Sequence, residues 1–257
     1  VTSELASLLD ARIEQLPDDE AHALQLVSFS EPLTLEVLSA LVGADTVERA
    51  EQRGLIRVVG DHTNLDVRFS HPLYGEVIRR DLGRAATRRL KGELFRAMYR
   101  PPIKVPAQRI RLAELALDSD VAADADLFAA AAQDAIALTN VTLGERLARA
   151  AVTHDGGLAA SELLARSLLW QGHAAESERI LSAFDPAAMT EFDLVRWGTA
   201  RIANLHWSMG DAERADDVLR LLQDRVNHSG LRLEVEGLAS ASLLCENRLP
   251  EALAPSE

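Results

Sequence analysis

One β-hairpin pattern interrupts an otherwise helical sequence, and it constrains the fold of this chain more than any other feature. Two β-prone runs, at residues 54–59 and 67–74, flank a polar turn that spans residues 60–64. Short β-prone runs on either side of a turn containing Gly, Asp and Asn favour a hairpin. His71 and Pro72 then lead directly into an amphipathic segment that predicts a helix. Because short helical segments precede the hairpin, this order of elements predicts a winged-helix fold.

Start and stop signals divide the sequence before the hairpin into four short helices. The first is expected to end at Pro17, where the second begins with a proline and acidic residues. Thr34 is the expected N-cap of the third helix, and Asp45 with Thr46 is the expected cap of the fourth. Together with the hairpin and the helix after it, these segments form a predicted winged-helix domain over residues 1–82.

Residues 83–106 are predicted to connect this domain to the rest of the chain. A basic amphipathic helix is expected from residue 84 to residue 100. The proline-rich run that follows, up to residue 106, cannot be helical and is the best linker candidate.

The helical pattern after this linker is periodic. Gly172 and Gly210 each follow an apolar run that contains a tryptophan, and the two glycines are 38 residues apart. Weaker copies place Asn140 and Asn247 at the same position. Glycine and asparagine can adopt the left-handed backbone conformation that the turn of a helical hairpin needs. A period in the thirties is typical of tetratricopeptide-like solenoids, so residues 107–257 are predicted to be such a repeat domain, truncated at its C-terminus.

Composition and charge narrow the class of protein. The chain has 257 residues, of which 47% are hydrophobic but only 4% aromatic, which favours helices that pack through Ala and Leu. Its net charge of −13 repels nucleic acid. A lone cysteine, Cys245, excludes an intramolecular disulfide and fits a reducing cytosol. The sequence has no signal-peptide pattern and no long apolar run, so we expect a cytoplasmic protein without a membrane anchor.

No motif in the sequence predicts catalysis or a metal site. There is no P-loop, no zinc-protease motif, no cysteine pair and no nucleophile elbow, and the histidines are scattered. Asp118, Asp120, Asp124 and Asp126 form an acidic cluster, but the central glycine and terminal glutamate of a calcium loop are missing. We therefore expect no catalytic residue, no metal and no enzymatic activity in this chain, and we interpret the cluster as a solvated loop.

Charge on the helix before the hairpin argues against DNA binding by this domain. In a winged helix that reads DNA, this position holds the recognition helix. Here three acidic residues outnumber Arg49 and Arg53, so the net charge of the helix is negative. A helix that enters a DNA groove needs a positive charge. A basic run over residues 79–91 is interpreted as a solvated helix face or as a docking surface for an acidic partner.

Three segments of the first domain resemble a known family of bacterial regulators. They are Leu-Pro-Asp-Asp-Glu at residues 16–20, Glu-Gln-Arg-Gly-Leu-Ile at residues 51–56, and Arg-Phe-Ser-His-Pro-Leu-Tyr-Gly-Glu-Val at residues 68–77. Their order and spacing are similar to those in the large MalT-like, LuxR-type transcriptional regulators of the STAND class. These motifs support the resemblance over residues 1–82. Beyond residue 82 only the pattern of helical segments supports it. The resemblance implies a parent protein with an ATPase core, a winged helix, a tetratricopeptide-like sensor arm and a C-terminal helix-turn-helix.

The resemblance also implies a role for His71. In STAND proteins a histidine at the junction of hairpin and helix approaches the phosphates of bound ADP, and His71 occupies the matching position. ATP or ADP is therefore expected in the full-length protein, whereas no cofactor is expected in this chain, which lacks a P-loop. The chain starts at Val1 rather than at a methionine and stops where a further helix is expected, so we interpret it as an excised central segment.

On this interpretation, the winged helix transmits the nucleotide state of its own nucleotide-binding domain, which is absent from this chain. The solenoid would bind an inducer or a regulatory protein, DNA would be contacted only through the C-terminal helix-turn-helix, and self-association is a further candidate interaction. Trp170, Trp197 and Trp207 are candidate ligand or partner anchors, although packing in the core between repeats is the preferred interpretation of each. The alternative is a free-standing tetratricopeptide-like scaffold for protein–protein interaction, without nucleotide or DNA binding.

Overall fold

The chain is mainly helical, and its computed structural model describes residue 9 and residues 11–61 and 64–245. It forms two compact units, Val1–Ala122 and Ala123–Glu257. The first unit holds a small β-sheet among helices, and the second consists of helical hairpins. The predicted fold class, a winged helix with a hairpin followed by a tetratricopeptide-like solenoid, is confirmed.

Six helices and three strands are described in the first unit. In chain order they are α1 (Asp18–Phe29), β1 (Leu33–Thr34), α2 (Leu35–Val42), α3 (Ala44–Gln52), β2 (Ile56–Gly60), β3 (Leu65–Phe69), α4 (Leu73–Asp81), α5 (Arg84–Met98) and α6 (Pro106–Leu117). Residue 9 and residues 11–14, before α1, are also helical, whereas residues 1–8 and residue 10 lie outside the described residues.

The sheet of the first unit is antiparallel, with the strand order β1-β3-β2. The predicted hairpin is confirmed: Ile56 lies opposite Phe69, and Val58 lies opposite Val67. Strand β1 was not expected from the sequence, because its two residues are too few to show a strand pattern. It exists because Leu33 pairs with Val67, which is a contact between residues distant in sequence.

Among the helices described above for the first unit, only α2 begins at a side-chain cap. The Thr34 hydroxyl accepts a hydrogen bond from the Val37 amide at 3.4 Å, so the predicted cap of α2 is confirmed. The predicted cap of α3 is wrong, since that helix begins at Ala44 without a side-chain cap. The Thr46 hydroxyl instead donates to the Asp19 carboxylate at 2.8 Å and thereby joins α3 to α1.

Helix α6 lies inside the segment that we expected to be part of the repeats. It packs on α5, and the Arg111 guanidinium donates to the backbone carbonyls of Ser30 and Pro32. These contacts place α6 in the first unit, so the hairpins of the second unit begin only at α7. Residues 99–105, between α5 and α6, are not helical, as the prolines predict, but Pro106, which we included in the non-helical run, begins α6 because proline is tolerated at the first position of a helix.

Seven α-helices and two short helices of other types are described in the second unit. They are α7 (Ala125–Ala137), α8 (Val141–Thr153), α9 (Gly157–Trp170), α10 (Ala174–Leu181), a 3₁₀ helix (Pro186–Ala188), α11 (Glu191–Ala203), a π-helix (Asn204–Met209), α12 (Ala212–Arg225) and α13 (Ser229–Cys245).

The helices of the second unit pair as successive hairpins. The first helices of the hairpins begin at residues 125, 157 and 191, and α13 begins at residue 229. The turns of the hairpins contain Thr139, Gly172 and Gly210, each with a left-handed backbone (φ of 62°, 81° and 66°). The glycine turns are as predicted. In the earliest hairpin Thr139 rather than Asn140 takes this conformation, because the Asn140 side chain caps α8 by accepting from the Leu143 amide. The predicted turn at Asn247 lies outside the described residues.

Close approach of α7 and α8 depends on small residues. A Cβ atom added to Gly144 would lie 2.6 Å from the Ile136 side chain, which real Cβ contacts do not allow. Alanines of these two helices are also fully buried: Ala131, Ala132, Ala135, Ala148 and Ala151. The alanine-rich crossings of the sequence are therefore core contacts between neighbouring helices.

A carboxylate contact joins α8 to the end of α9. The Glu145 carboxylate accepts hydrogen bonds from Arg149 at 2.7 Å and from Gln171 at 2.8 Å. The hydrogen bond from Arg149, followed by the one from Gln171, holds the pKa of Glu145 below its ordinary value of 4.5, although partial burial opposes this.

We expect Glu145→Gln to reduce the acid sensitivity of the repeat unit. A carboxylate whose pKa is lower in the folded state stabilises the fold above its unfolded pKa, and this stabilisation is lost as the pH falls through the folded value. The wild type should therefore lose more stability than Glu145→Gln as the pH falls below 4.5, measured by urea unfolding at a series of pH values. Glu213→Gln, at an exposed position on α12, serves as the control. Equal acid sensitivity in wild type and Glu145→Gln would contradict this assignment.

Candidate binding groove

The first helices of successive hairpins lie side by side, α7 next to α9, α9 next to α11, and α11 next to α13. Together they line a groove with a volume of about 600 Å³, within the range typical of small-molecule sites. Gln133 on α7 lies at one end of this groove and Glu234 on α13 at the other. A smaller cavity of about 380 Å³ adjoins it and shares Gln133, Arg166 and Trp170.

Three exposed aromatic side chains form the apolar walls of the groove. Trp170 ends α9 and is 72% exposed, Trp207 lies in the π-helix and is 65% exposed, and Phe192 lies in the first turn of α11 and is 59% exposed. Large aromatic residues are costly to expose, and their concentration around a concavity marks a binding surface.

The lining also contains two arginines that share one buried carboxylate. Glu162 on α9 lies 3.2 Å from Arg196 on α11 and 3.7 Å from Arg166 on its own helix. The Arg166 Nε atom is buried and has no hydrogen-bond acceptor among the described residues. The Arg196 guanidinium also lies 5.8 Å from the centre of the Phe192 ring. The two guanidiniums therefore offer more N–H donors than Glu162 can satisfy.

The π-helix places Trp207 at the edge of the groove. It follows α11 directly and ends at Met209, and the left-handed backbone of Gly210 closes the turn. Asn204, at its start, is fully buried and donates from Nδ2 to the Ala174 carbonyl at 3.0 Å, which ties the π-helix to α10. Single turns of π-helix are rare and occur frequently at functional sites.

The three tryptophans of the sequence have different environments. Trp197 is 1% exposed and donates from Nε1 to the Leu181 carbonyl at 2.8 Å, so it is a core residue and cannot anchor a ligand. Core packing, the interpretation preferred from sequence, therefore holds for Trp197 but is wrong for Trp170 and Trp207. Sequence reasoning missed Phe192 and the arginine pair, because nothing in their local spacing shows which face of α9 and α11 is concave.

His71 lies at the N-terminal end of α4, between the hairpin and this helix. Its side chain is exposed, and Nδ1 accepts a hydrogen bond from the Leu73 amide at 3.2 Å. In the neutral ring this contact places the proton on Nε2, which is then a hydrogen-bond donor.

The basic residues of α3 are already engaged within the first unit. Arg49 and Arg53 both pair with the buried Glu20 carboxylate, with N–O distances of 3.3 Å and 3.2 Å. Because these ion pairs occupy both arginines, they agree with the charge argument against a DNA-reading role for α3.

The acidic cluster between α6 and α7 has structural roles. Asp118 pairs with Lys91 at 2.7 Å, Asp120 pairs with Arg96 at 3.4 Å, and Asp124 caps α7. In the described part of the chain, no group of three or more His, Cys, Asp or Glu residues is placed to hold a metal ion. None of the helices described there is long and apolar enough to cross a membrane.

Comparisons with known proteins support the fold. No described protein family matches the sequence, and no curated protein matches it. Among solved structures, the chain is similar to a signal transduction ATPase with numerous domains (STAND) protein with a tetratricopeptide repeat sensor from Pyrococcus horikoshii, with a TM-score of 0.52 and 14% sequence identity. The match covers 96% of this chain and 38% of that structure, so this chain spans well under half of its neighbour's length.

Proposed function

We propose that this chain is the central segment of a cytoplasmic STAND-class transcriptional regulator of the LuxR type. In this proposal the winged helix transmits the nucleotide state of an ATPase domain, and the repeats bind an inducer or a partner protein. The observation that carries the proposal is the structural similarity to a STAND protein with a repeat sensor, which covers 96% of this chain. The MalT-like motifs of the first unit support it independently.

His71 is the proposed link to the nucleotide. Its Nδ1 atom accepts from the Leu73 amide, which leaves Nε2–H as a donor at the N-terminal end of α4. A donor at this position favours an anion, because backbone N–H groups and the helix dipole add to it. The proposed role is to hold the phosphates of ADP in the resting state of the full-length protein. Any ATPase activity, and any DNA binding by a helix-turn-helix, would belong to domains outside this chain.

The repeats are the proposed sensor. Their groove combines exposed aromatic walls with a partly exposed arginine pair, which is the composition expected of a site for a ligand or partner. The same groove would serve a free-standing scaffold, so the groove does not distinguish the two hypotheses.

The coding sequence around this segment provides the first test. The regulator hypothesis requires a P-loop before Val1 and a helix-turn-helix after Glu257 in the same reading frame. A reading frame that starts near Val1 and lacks both would overturn it and favour the scaffold.

The second test is His71→Ala in the full-length protein. Loss of a hydrogen bond to a charged phosphate costs about 1.5 kcal/mol, so ADP should bind roughly tenfold more weakly and basal transcription should rise. His173→Ala, at an exposed turn of the repeats, is the matched histidine control. Unchanged ADP affinity in His71→Ala would show that this side chain does not contact the phosphates.

A further inference from the structure

We propose that the groove of the repeats is a receptor for a small organic monocarboxylate that carries an aromatic or branched apolar group. Arg166 and Arg196 would bind the carboxylate, and Trp170, Phe192 and Trp207 would pack against the apolar group. This inference rests on the proposed sensor role of the repeats and names the chemical class of the inducer.

The charge of the arginine pair identifies the polar part of the ligand. Two guanidiniums share the single Glu162 carboxylate, so these three groups carry one net positive charge. Glu234 at the other end of the groove balances this charge over the groove as a whole, so the positive charge is confined to the arginine end. A carboxylate bound at that end pairs with the guanidiniums and supplies two acceptor oxygens, which match their planar fork.

The exposed parts of the two guanidiniums add a second argument. The Arg166 and Arg196 side chains are 39% and 34% exposed, and the single Glu162 carboxylate cannot accept from all of their N–H groups, so donors remain for a ligand carboxylate. The exposed Glu234 carboxylate on α13 also lines the groove and disfavours a second negative charge on the ligand, so a monocarboxylate is preferred to a dicarboxylate.

The aromatic walls identify the apolar part of the ligand. Trp170 is the last residue of α9, Trp207 lies in the π-helix after α11, and Phe192 lies in the first turn of α11. Aromatic rings pair in stacked or edge-to-face geometries that add to the gain from burial. A volume of about 600 Å³ accommodates one aromatic or branched group together with its acid.

The test is calorimetric titration of the 257-residue chain with 4-phenylbutyrate and with its neutral isostere, 4-phenylbutyramide. The acid should bind at least about tenfold more tightly than the amide, since a charge-assisted pair is worth about 1.5 kcal/mol or more. Phenylsuccinate, with two carboxylates, should bind more weakly than 4-phenylbutyrate.

Substitutions test which residues bind the carboxylate and which residues bind the apolar group. Arg166→Met and Arg196→Met should each remove most of the preference for the acid over the amide. Trp207→Ala should weaken the binding of the acid and the binding of the amide by the same factor. Arg220→Met, an exposed arginine on α12 outside the groove, should bind like the wild type. Circular dichroism checks that each variant is folded, and Trp207 is exposed enough that its removal leaves the core intact.

Several outcomes would overturn the proposal. Equal binding of acid and amide would exclude carboxylate recognition, and absence of binding by either compound at millimolar concentration would exclude a receptor of this class. Saturable binding of an extended peptide with no binding of the small acids would identify the groove as a partner-protein site. These measurements need neither nucleotide nor an ATPase domain, so their failure is distinguishable from failure of the STAND hypothesis.

Discussion

Trp197→Ala is expected to destabilise the repeat unit by about 3 to 5 kcal/mol, the usual cost of removing a large aromatic side chain from a core. Trp197 is among the largest fully buried side chains of the described chain, and it packs in the core that α9 to α13 share. Its removal also leaves the Leu181 carbonyl without the indole donor.

Urea unfolding followed by tryptophan fluorescence measures this loss. All three tryptophans of the chain, Trp170, Trp197 and Trp207, lie in the second unit, so the signal reports on that unit alone, and two reporters remain in the variant. Trp170→Ala is the matched control and should change the free energy of unfolding by less than about 0.5 kcal/mol, because that side chain is exposed. Equal losses in the two variants would contradict the different environments of these tryptophans.

Glu178→Gln is expected to destabilise the same unit by about 3 kcal/mol, the low end of the range for breaking a buried ion pair. The buried Glu178 carboxylate on α10 accepts from Arg201 on α11, at 2.8 Å and 3.0 Å, and from Arg214 on α12. It therefore joins three helices. Glutamine leaves two guanidiniums close together without a countercharge, although Arg214 is partly exposed and can recover water.

Asp217→Asn is the matched control for this prediction. Asp217 also pairs with an arginine, Arg220, but both side chains are exposed, and such pairs contribute about 0.5 kcal/mol or less. The free energies of unfolding from urea denaturation give the comparison. If Glu178→Gln cost no more than Asp217→Asn, the buried three-helix contact would not be present in solution.

The effects of substituting Trp197 and Glu178 on the free energy of unfolding are expected to be coupled. The Arg201 guanidinium that pairs with Glu178 also lies 5.1 Å from the centre of the Trp197 ring. Since residues with a shared partner do not contribute independently, the double variant should lose less stability than the sum of the two single losses.

Local signals in the sequence were sufficient for most elements of the fold. The Thr34 cap and the glycine turns at Gly172 and Gly210 were predictable because the groups that satisfy them lie within a few residues. Strand β1 and the role of the Thr46 side chain were not, because they depend on contacts from Leu33 to Val67 and from Thr46 to Asp19. Each of these contacts joins residues that are far apart in the chain.

The candidate groove also combines features that the sequence predicted with features that depend on long-range contacts. The repeat pattern drew attention to the tryptophans near the hairpin turns, and two of them, Trp170 and Trp207, do line the groove. The pattern did not reveal that Trp197 is buried or that Arg166 and Arg196 meet at one carboxylate. Those facts depend on how α9 packs beside α11, which the spacing within either helix does not contain.

Features that depend on neighbouring residues could therefore be predicted from the sequence. They are the hairpin, the Thr34 helix cap, the repeat period and the position of His71 at the start of a helix. Such features depend on backbone preferences and on hydrogen bonds within a few residues. The tertiary structure alone decided which aromatic side chains face solvent, and it alone brought Arg166, Arg196 and Glu162 together. Burial and long-range ion pairs arise only when separate helices pack, so the character of the groove is a property of the assembled repeats.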